Sequence, residues 1–435
     1  MFEKWLELGL SKGISDLEIF ATQSRSLKLS LYQSKLDQNV LSDVSSVSIR
    51  GIYDGKLSRV HFENLSDDNA ASYLDALIEN AKALTVKEPA IIYEGSKSYP
   101  EVDDELFDFA SVPMIDKIEL IKTLESKILE NEFVSQVQST IYQESYSKTV
   151  LVNSKGLNLE RENTFAYCYS IGVFQKDDDI KTAAEIKIAK KFSDFNAIEL
   201  AEKTIKTGVS KLGGQSIKSG SYPVVFKNEM FSDILSGYLT VFTGESAYRD
   251  LSQLKGKVGE EIAVPELNLI DDPLTDLALF KTPFDDEGVA CAKKYLIENG
   301  VFKGFMHNLK TAAIFNEEPT GHAFRGGIGP TNIYVEPSDI SFDEMIKDIK
   351  EGVFITDLVG LHAGVNAVSG EFSAQAGGFK IKDGKIDHPI KMIVVSGNFF
   401  KMIKAIKSFD NELEFSTSSI GSPNVYIESL MIGGE

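Results

Sequence analysis

Residues 1–212 read as two copies of one unit, in which a helix is followed by several strands and then by a second helix. Local matches recur at offsets of 120 to 121 residues, pairing Ser24–Ser26 with Ser145–Ser147, Gln33–Lys35 with Asn153–Lys155 and Gly51 with Gly172. A constant offset is the mark of an internal repeat, and each copy of a repeat folds as one supersecondary unit. The sequence therefore predicts a duplicated helix–strands–helix layout in this half of the chain.

The strands within each copy alternate strictly between apolar and polar residues. Leu27, Leu29 and Leu31 would face one side of a strand, with Lys28 and Ser30 between them on the other. Alternation at period two indicates a sheet with one packed and one exposed face, which is typical of antiparallel pairing. Helices then cover the packed face, so the fold class is α+β.

A glycine- and serine-rich stretch, Lys211–Tyr222, marks the best domain boundary. We expect an N-terminal α+β domain over residues 1–215, which contains the two repeats at 1–86 and 113–212. Residues 216–435 would form the C-terminal domain.

The C-terminal domain is rich in glycine and in hairpin signals. Asn299-Gly300 and Asp383-Gly384 each separate two strand-like runs, and such dipeptides favour tight hairpins. These features predict a mainly antiparallel β domain with a few helices. Its glycine-lined strands also suggest open sheet edges, to which an extended peptide could add as a further strand.

Charge and cysteine content exclude several classes of protein. The 435 residues carry 65 acidic and 45 basic side chains, a formal net charge of −20. Nucleic-acid binding depends on many Lys and Arg contacts to phosphate, so we expect none here. The two cysteines, Cys168 and Cys291, are too few for a disulfide framework. No signal-peptide pattern and no apolar stretch of membrane-spanning length occurs, so we expect a cytoplasmic protein without membrane contact.

Few residues combine into a recognisable reactive site. No HExxH motif, paired-cysteine motif, GxSxG motif or phosphate-binding glycine loop occurs. His322 and Arg325 lie within a glycine-rich loop, where they would bind a carboxylate or a peptide carbonyl, or simply form a turn. The acidic run Asp285–Glu287 is either a divalent-cation site or a common acidic turn before a strand.

Six segments of the second half resemble conserved blocks of the TldD/PmbA (TldE) family, and they occur in the family's order over about residues 220–435. These segments are Pro283–Val289, Ile297–Met306, Pro319–His322, Val368–Ser373, Gly378–Asn398 and Ile427–Gly434. The first half is similar to the family in layout only. Within these blocks and beside them, we take as candidate substrate-binding residues Gly321, His322, Arg325, Ser369 and Gly370.

The resemblance implies a zinc metallopeptidase in the TldD-type subunit, where a helix carries HExxxH and a later cysteine completes the metal site. The corresponding helix here is expected at Asn228–Phe242, with Leu235 and Thr240 at the histidine positions and Ser236 at the glutamate position. The corresponding C-terminal stretch, Ser416–Gly421, holds no cysteine. Leucine and neutral hydroxyls are not zinc ligands, so we expect no metal in this chain.

The resemblance therefore implies a PmbA/TldE-type, non-catalytic subunit that pairs with a zinc-bearing TldD-like partner to degrade unfolded or extended peptides. The family's association with DNA gyrase modulation would not mean DNA contact, given the acidic charge. Two alternatives stay open. One is a stand-alone peptide-binding or regulatory homodimer without proteolysis, and the other is an autonomous peptidase that uses His322 and Asp285–Glu287.

Overall fold

The computed structural model of the chain describes residues 1–63, 65–85, 88–102, 105–415 and 419–435. The chain divides into two compact units, the first made of Met1–Gly95 and Asp103–Gly213 and the second of Ser96–Val102 and Gly214–Glu435. Residues 96–102, which the sequence analysis assigned to the first domain, thus belong to the second unit. Tyr99 is one reason, because its hydroxyl donates a 2.7 Å hydrogen bond to the carbonyl oxygen of Gly288.

The first unit is a single antiparallel sheet with helices. Its strands are hydrogen-bonded in the order β3-β2-β1-β4-β5-β6, and β7 pairs with β5. The elements are α1 (Phe2–Ser11), β1 (Asp16–Tyr32), β2 (Lys35–Tyr53), β3 (Lys56–Phe62), α2 (Ala70–Ala83), α3 (Met114–Leu129), β4 (Val134–Asn153), β5 (Asn158–Lys176), β6 (Asp179–Ala183), β7 (Ile186–Ala189) and α4 (Ala197–Ser210).

The strand order confirms the predicted duplication. The first three strands run outward from β1 and the next three run outward from β4, so the two copies meet at the β1–β4 pair. The equivalent residues Arg25 and Tyr146 lie opposite each other there, and the serines on either side of them pair crosswise, Ser24 with Ser147 and Ser26 with Ser145. The two copies are therefore related by an approximate twofold axis through the middle of the sheet.

The alternation of β1 places its leucines in the core as predicted. Leu27, Leu29 and Leu31 are buried in a cluster with Ile121 of α3 and Leu200 of α4. The other end of β1 packs into a separate cluster under α1 and α2. One long strand thus contributes to both cores, which joins the two repeats into one unit.

The second unit contains most of the short elements. Its helices are α5 (Asn228–Tyr238), α6 (Gly244–Tyr248), α7 (Leu309–Phe315), α8 (Phe342–Ile346), α9 (Leu361–Gly364) and α10 (Phe399–Met402). Within the described ranges of the whole chain, no helix is both long enough and apolar enough to cross a membrane.

The strands of the second unit form two larger sheets and a hairpin. They are β8 (Gly220–Phe226), β9 (Leu269–Asp271), β10 (Lys294–Glu298), β11 (Val301–Phe302), β12 (Ala323–Phe324), β13 (Gly327–Ile328), β14 (Ile333–Val335), β15 (Glu351–Val359), β16 (Glu371–Lys382), β17 (Lys385–Asn398), β18 (Ile406–Phe409), β19 (Glu414–Phe415), β20 (Ile420–Ser422) and β21 (Val425–Gly433). The predicted turns at Asn299-Gly300 and Asp383-Gly384 join β10 to β11 and β16 to β17.

One sheet of the second unit closes on itself. Its order is β17-β16-β15-β8-β21-β18, and β21 also pairs with β17, so five strands form a ring. The expectation of open, glycine-lined edges is therefore wrong for these five strands, because each of them has a hydrogen-bonded neighbour on both sides. The other large sheet, β11-β10-β9-β14-β20-β19, ends in strands of two residues at both edges.

Candidate functional site

The helix α5 carries the positions at which the family resemblance places a metal site. Phe231, Ile234, Leu235 and Tyr238 are buried at helical spacing and hold the helix against the core. The predicted helix to residue 242 is not continuous, because the α-helix ends at Tyr238 and a 3-10 turn follows. Thr243 tightens this turn, since its amide and its hydroxyl both donate to the carbonyl oxygen of Thr240 at 3.2 and 2.8 Å.

The three motif positions do not fit a zinc ion. Leu235 is buried in the core, whereas Ser236 and Thr240 are exposed. Zinc is held in proteins by thiolates, imidazoles and carboxylates, and these side chains offer an alkyl group and two neutral hydroxyls. In the part of the chain that the structure describes, no group of three His, Cys, Asp or Glu side chains is placed to hold a metal. Residues 416–418 of the predicted cysteine-free stretch lie outside the described residues.

Both cysteines are buried thiols. Cys168 lies on β5, and burial raises the pKa of its thiol to about 12. Cys291 donates a 3.1 Å hydrogen bond from Sγ to the carbonyl oxygen of Gly321. Both sulfurs are buried, whereas a reactive thiolate requires an accessible sulfur.

Tyr238 is a structural anchor that the sequence analysis did not identify. Its buried hydroxyl lies 2.9 Å from the carbonyl oxygens of both Gly370 and Glu371, and its ring stacks on Phe399 at 4.3 Å. Burial raises the pKa of this phenol above its ordinary value. The end of α5 is thus fixed to the loop that contains two of the candidate substrate-binding residues, Ser369 and Gly370.

The loop before β16 is a tight turn that is held by hydrogen bonds to Asn398 and Phe399. Gly370 has φ +81°, and a Cβ there would lie 2.6 Å from the ring of Phe400, so glycine is required. Its carbonyl also accepts the amide of Phe399 at 2.7 Å. Asn398 Nδ2 donates to the carbonyl oxygen of Ser369 at 3.0 Å. Ser369 is exposed whereas Gly370 is buried, so only Ser369 presents a side chain to solvent.

His322 is buried, and both of its ring nitrogens have partners. Nδ1 lies 2.8 Å from Thr320 Oγ1, and Nε2 lies 2.9 Å from Asp271 Oδ2. Thr331 completes the cluster, because its amide and hydroxyl donate to the same Asp271 carboxylate at 2.8 and 2.7 Å. The imidazole therefore joins β9 to the loop before β12 and does not face solvent.

Gly321 and Arg325 flank this histidine in different environments. A Cβ at Gly321, which has φ +73°, would lie 2.8 Å from the carbonyl oxygen of Ala290, so this position packs against the backbone of the segment that contains Ala290. Arg325 and Gly326, with φ of +51° and +75°, form the exposed two-residue turn between β12 and β13. The Arg325 amide donates to Asp286 Oδ2 at 2.8 Å. Of these residues, only Arg325 presents a functional group at the surface.

The acidic run Asp285–Glu287 binds backbone amides. Asp285 is buried and accepts hydrogen bonds from the amides of Glu287, Val289 and Ala323 at 2.9 to 3.0 Å. Burial raises the pKa of its carboxyl to about 7, although the three amide donors favour the charged form. Glu287 Oε2 accepts the amide of Leu309 at 2.8 Å, at the start of α7. The carboxylates of Asp285 and Glu287 therefore have a structural role, because they accept backbone amides and so fix the surrounding loops.

His307 gives the second unit a pH-dependent core. It is buried between Phe305 and Phe315, with Nδ1 3.1 Å from Thr311 Oγ1. Burial lowers the pKa of this imidazole below its ordinary value of 6.5, and the Glu317 carboxylate opposes the shift. The unfolded chain then takes up the proton at a higher pH than the folded chain does. The stability that neutral His307 contributes is fully present above about pH 6.5, and it is lost as the pH falls towards the folded-state pKa of this imidazole.

Asp285, whose pKa burial raises, contributes to the pH dependence with the opposite sign, so the effect of His307 is measured as a difference. We expect the free energy of unfolding of the wild type to fall relative to that of His307→Gln between pH 7 and pH 5. Urea denaturation at several pH values measures the slope. The matched control is His362→Gln, because His362 is exposed on α9. An unchanged slope in His307→Gln, or an equal change in both variants, would contradict the assignment.

The two-unit α+β fold with its ring-closed sheet is shared with proteins of a metallopeptidase family. Three family models match the chain: PmbA/TldA metallopeptidase domain 1 at residues 17–84, the central domain at 107–212 and the C-terminal domain at 219–434. The chain belongs to the PmbA/TldD metallopeptidase family.

Several known proteins are similar over nearly the full length. A Thermotoga maritima protein, named as a candidate modulator of a DNA gyrase, has a crystal structure with TM-score 0.93, 30% identity and 100% coverage of both chains. TldE from Thermococcus kodakarensis has the same fold, with TM-score 0.90, 24% identity and 100% coverage of both chains. Metalloprotease PmbA of Escherichia coli O157:H7 is 24% identical over 98% of this chain and 94% of its own length.

Proposed function

We propose that this chain is the non-catalytic, TldE-type subunit of a zinc metallopeptidase complex that degrades unfolded or extended peptides. The observation that carries the proposal is the environment of α5. Family membership extends over almost the whole chain, yet Leu235 is a core residue and Ser236 and Thr240 are neutral hydroxyls. In this proposal a TldD-like partner holds the zinc, and the present chain completes the complex in the cytoplasm.

The candidate substrate-binding residues divide by exposure. His322, Gly321 and Gly370 are buried and shape their loops, whereas Arg325 and Ser369 are exposed. Of these five candidates, we therefore assign peptide contact only to Arg325 and Ser369. A guanidinium at a hairpin turn suits a peptide carbonyl or carboxylate, because it donates in a planar, forked geometry.

The edge of β2 suits strand addition better than the ring-closed sheet does. β3 pairs only with residues 47–53 of β2. Before that point, Leu36, Val40, Leu41 and Val44 are exposed apolar residues. An extended peptide that paired along this segment would gain main-chain hydrogen bonds and would cover these side chains.

A reconstitution assay tests the proposal. The chain, a TldD-like protein with HExxxH from the same cell, and the two together are assayed on an unfolded protein and on extended peptides, with and without a zinc chelator. We expect chelator-sensitive cleavage only where the TldD-like protein is present, and a higher rate when this chain is added. Stoichiometric zinc or chelator-sensitive cleavage in the chain alone would contradict the proposal.

The same assay tests the peptide contact. Arg325→Ala should raise KM of the assembled complex roughly 3- to 10-fold with kcat unchanged, because a charged hydrogen bond to bound peptide is lost in ground and transition states alike. Arg249→Ala is the control, since Arg249 is paired with Glu245 at 2.6 Å on another part of the second unit. A fall in kcat alone would count against a binding role for Arg325.

A further inference from the structure

The middle of the packed face of the first unit lies between two pairs of helices. β1 buries Ile19 in the cluster of α1 and α2, and it buries Leu27 in the cluster of α3 and α4. Both residues are odd-numbered, so they lie on the same face of the strand. Arg25 lies between them on that face, opposite Tyr146 of β4. The duplication therefore places the centre of the packed face between the two helix pairs.

A pocket of about 340 Å³ lies at this centre. Its volume is at the lower end of the range for pockets that bind ligands. Residues 106–110 cover part of the pocket and are held in place by β5, because Thr164 Oγ1 donates a 3.1 Å hydrogen bond to the carbonyl oxygen of Phe107. We call this cavity the central pocket. Its larger apolar lining residues are Leu27, Leu41, Leu106, Phe107 and Phe109.

The mouth of the central pocket lies beside β2. Leu41 and Leu106 are 78% and 43% exposed, whereas Leu27 and Phe109 are buried. Leu41 is also the cross-strand partner of Leu27, so the floor of the pocket leads to β2 along one row of side chains. Among the described strands, β2 before residue 47 pairs with β1 alone. The pocket therefore opens beside a strand edge whose outward main-chain groups lack a strand partner.

The charged side chains at the central pocket already have partners. The ion pairs are Glu144–Lys117 at 2.7 Å, Glu162–Lys148 at 3.0 Å and Arg25–Asp43 at 2.9 Å. Asp108 accepts the amide of Ala110 at 3.1 Å. A charged ligand group would therefore lose its hydration without gaining a free counter-ion among these lining residues. An apolar group instead gains from burial against the leucine and phenylalanine side chains.

We propose that the central pocket binds one bulky apolar side chain, such as leucine or phenylalanine, of an extended peptide that adds to the edge of β2. This inference rests on the proposed function, because it names the side chain by which this subunit selects a peptide. An added strand continues the rows of the sheet, so the peptide residue opposite Leu41 lies on the same face as Leu41. An extended peptide fills the pocket and also pairs with the edge, whereas a helix leaves the edge unpaired.

Fluorescence anisotropy with the full chain alone tests this inference. The probes are labelled peptides of about ten residues, made of serine and threonine except at one central position, which is phenylalanine or alanine. We expect the wild type to bind the phenylalanine peptide at least about 10-fold more tightly than the alanine peptide, because most of the aromatic side chain leaves water.

Two substitutions at the mouth should remove this preference. Leu41→Asp and Leu106→Asp each place a carboxylate beside the bound side chain, so the ratio of the two affinities should fall below about 2-fold. Both residues are exposed, and circular dichroism confirms that the variants remain folded. The matched control is Val40→Asp, because Val40 is 52% exposed and alternates with Leu41 along β2, facing the other side of the sheet. The control should keep the wild-type ratio even if it changes both affinities.

Several results would overturn the inference: no binding of either peptide, equal binding of both by the wild type, a preference that survives both substitutions at the mouth, or its loss in Val40→Asp. Binding of N-acetyl-phenylalanine amide as tight as that of the phenylalanine peptide would also overturn it, because the pocket would then take a small apolar ligand without the edge of β2. The reconstitution assay measures cleavage with the TldD-like protein present, so its result is independent of each of these binding results.

Discussion

Replacing Lys117 with methionine is expected to lower the free energy of unfolding by about 3–5 kcal/mol, because the substitution leaves a buried carboxylate without its counter-ion. Lys117 of α3 and Glu144 of β4 are both buried, and Nζ lies 2.9 and 2.7 Å from the two carboxylate oxygens. The Tyr142 hydroxyl donates to the same carboxylate at 2.7 Å. Equilibrium urea denaturation of the full chain, followed by circular dichroism, measures the loss.

The double variant Lys117→Met/Glu144→Gln distinguishes a lost charge pair from lost packing. An amide removes the uncompensated charge and still accepts the Tyr142 hydroxyl, so most of the lost stability should return. Lys127→Met is the exposed control, since the Lys127–Glu130 pair at 2.8 Å is in solvent and should contribute at most about 1 kcal/mol. Equal losses in Lys117→Met and Lys127→Met would show that burial does not determine how much an ion pair contributes to the free energy of unfolding.

The contrast between these two lysines shows what the sequence can and cannot predict. Lys127 lies in the last turn of α3 and Glu130 caps the end of the same helix three residues later, so their pairing follows from spacing alone. Lys117 and Glu144 lie on different elements, 27 residues apart. The alternation of Leu27, Leu29 and Leu31 was predictable for the same reason, since it is a local periodicity that the backbone converts directly into the faces of a strand. The repeat was predictable for a different reason, because matching residues recur along the sequence at a nearly fixed offset.

The features of the candidate site likewise divide into those that follow from the sequence and those that depend on contacts between distant residues. That Leu235 cannot bind zinc follows from its chemical identity, whatever its surroundings. The role of His322 depends instead on Asp271, which lies in β9 and 51 residues earlier in the chain, and on Thr331, which lies in the loop between β13 and β14. Ring closure depends on the pairing of β17 with β21, and no hairpin signal marks this pairing. An open edge was therefore predicted where the structure has none.

Replacing Gly378 with alanine is the second change with a large expected effect, a loss of about 3 kcal/mol or more in the free energy of unfolding. A Cβ at this position would lie 1.9 Å from the carbonyl oxygen of Phe354 and 2.9 Å from its carbon. Real side chains do not approach a backbone so closely, so β16 would have to move. Because β16 is hydrogen-bonded on both sides in a closed ring, movement away from β15 disturbs its pairing with β17 as well.

The adjacent glycine provides a matched control for this backbone contact. A Cβ at Gly377 would meet Asp357 Cβ at 3.5 Å, which is ordinary van der Waals contact, so Gly377→Ala should change the free energy of unfolding by less than about 1 kcal/mol. Both variants alter the same strand by one methyl group, and urea denaturation compares them directly. They differ in what the methyl group meets and in the backbone angle φ, which is +159° at Gly378. A similar loss in both variants would mean that strand entropy outweighs the clash, and a smaller loss at Gly378 would mean that β16 relaxes away from Phe354.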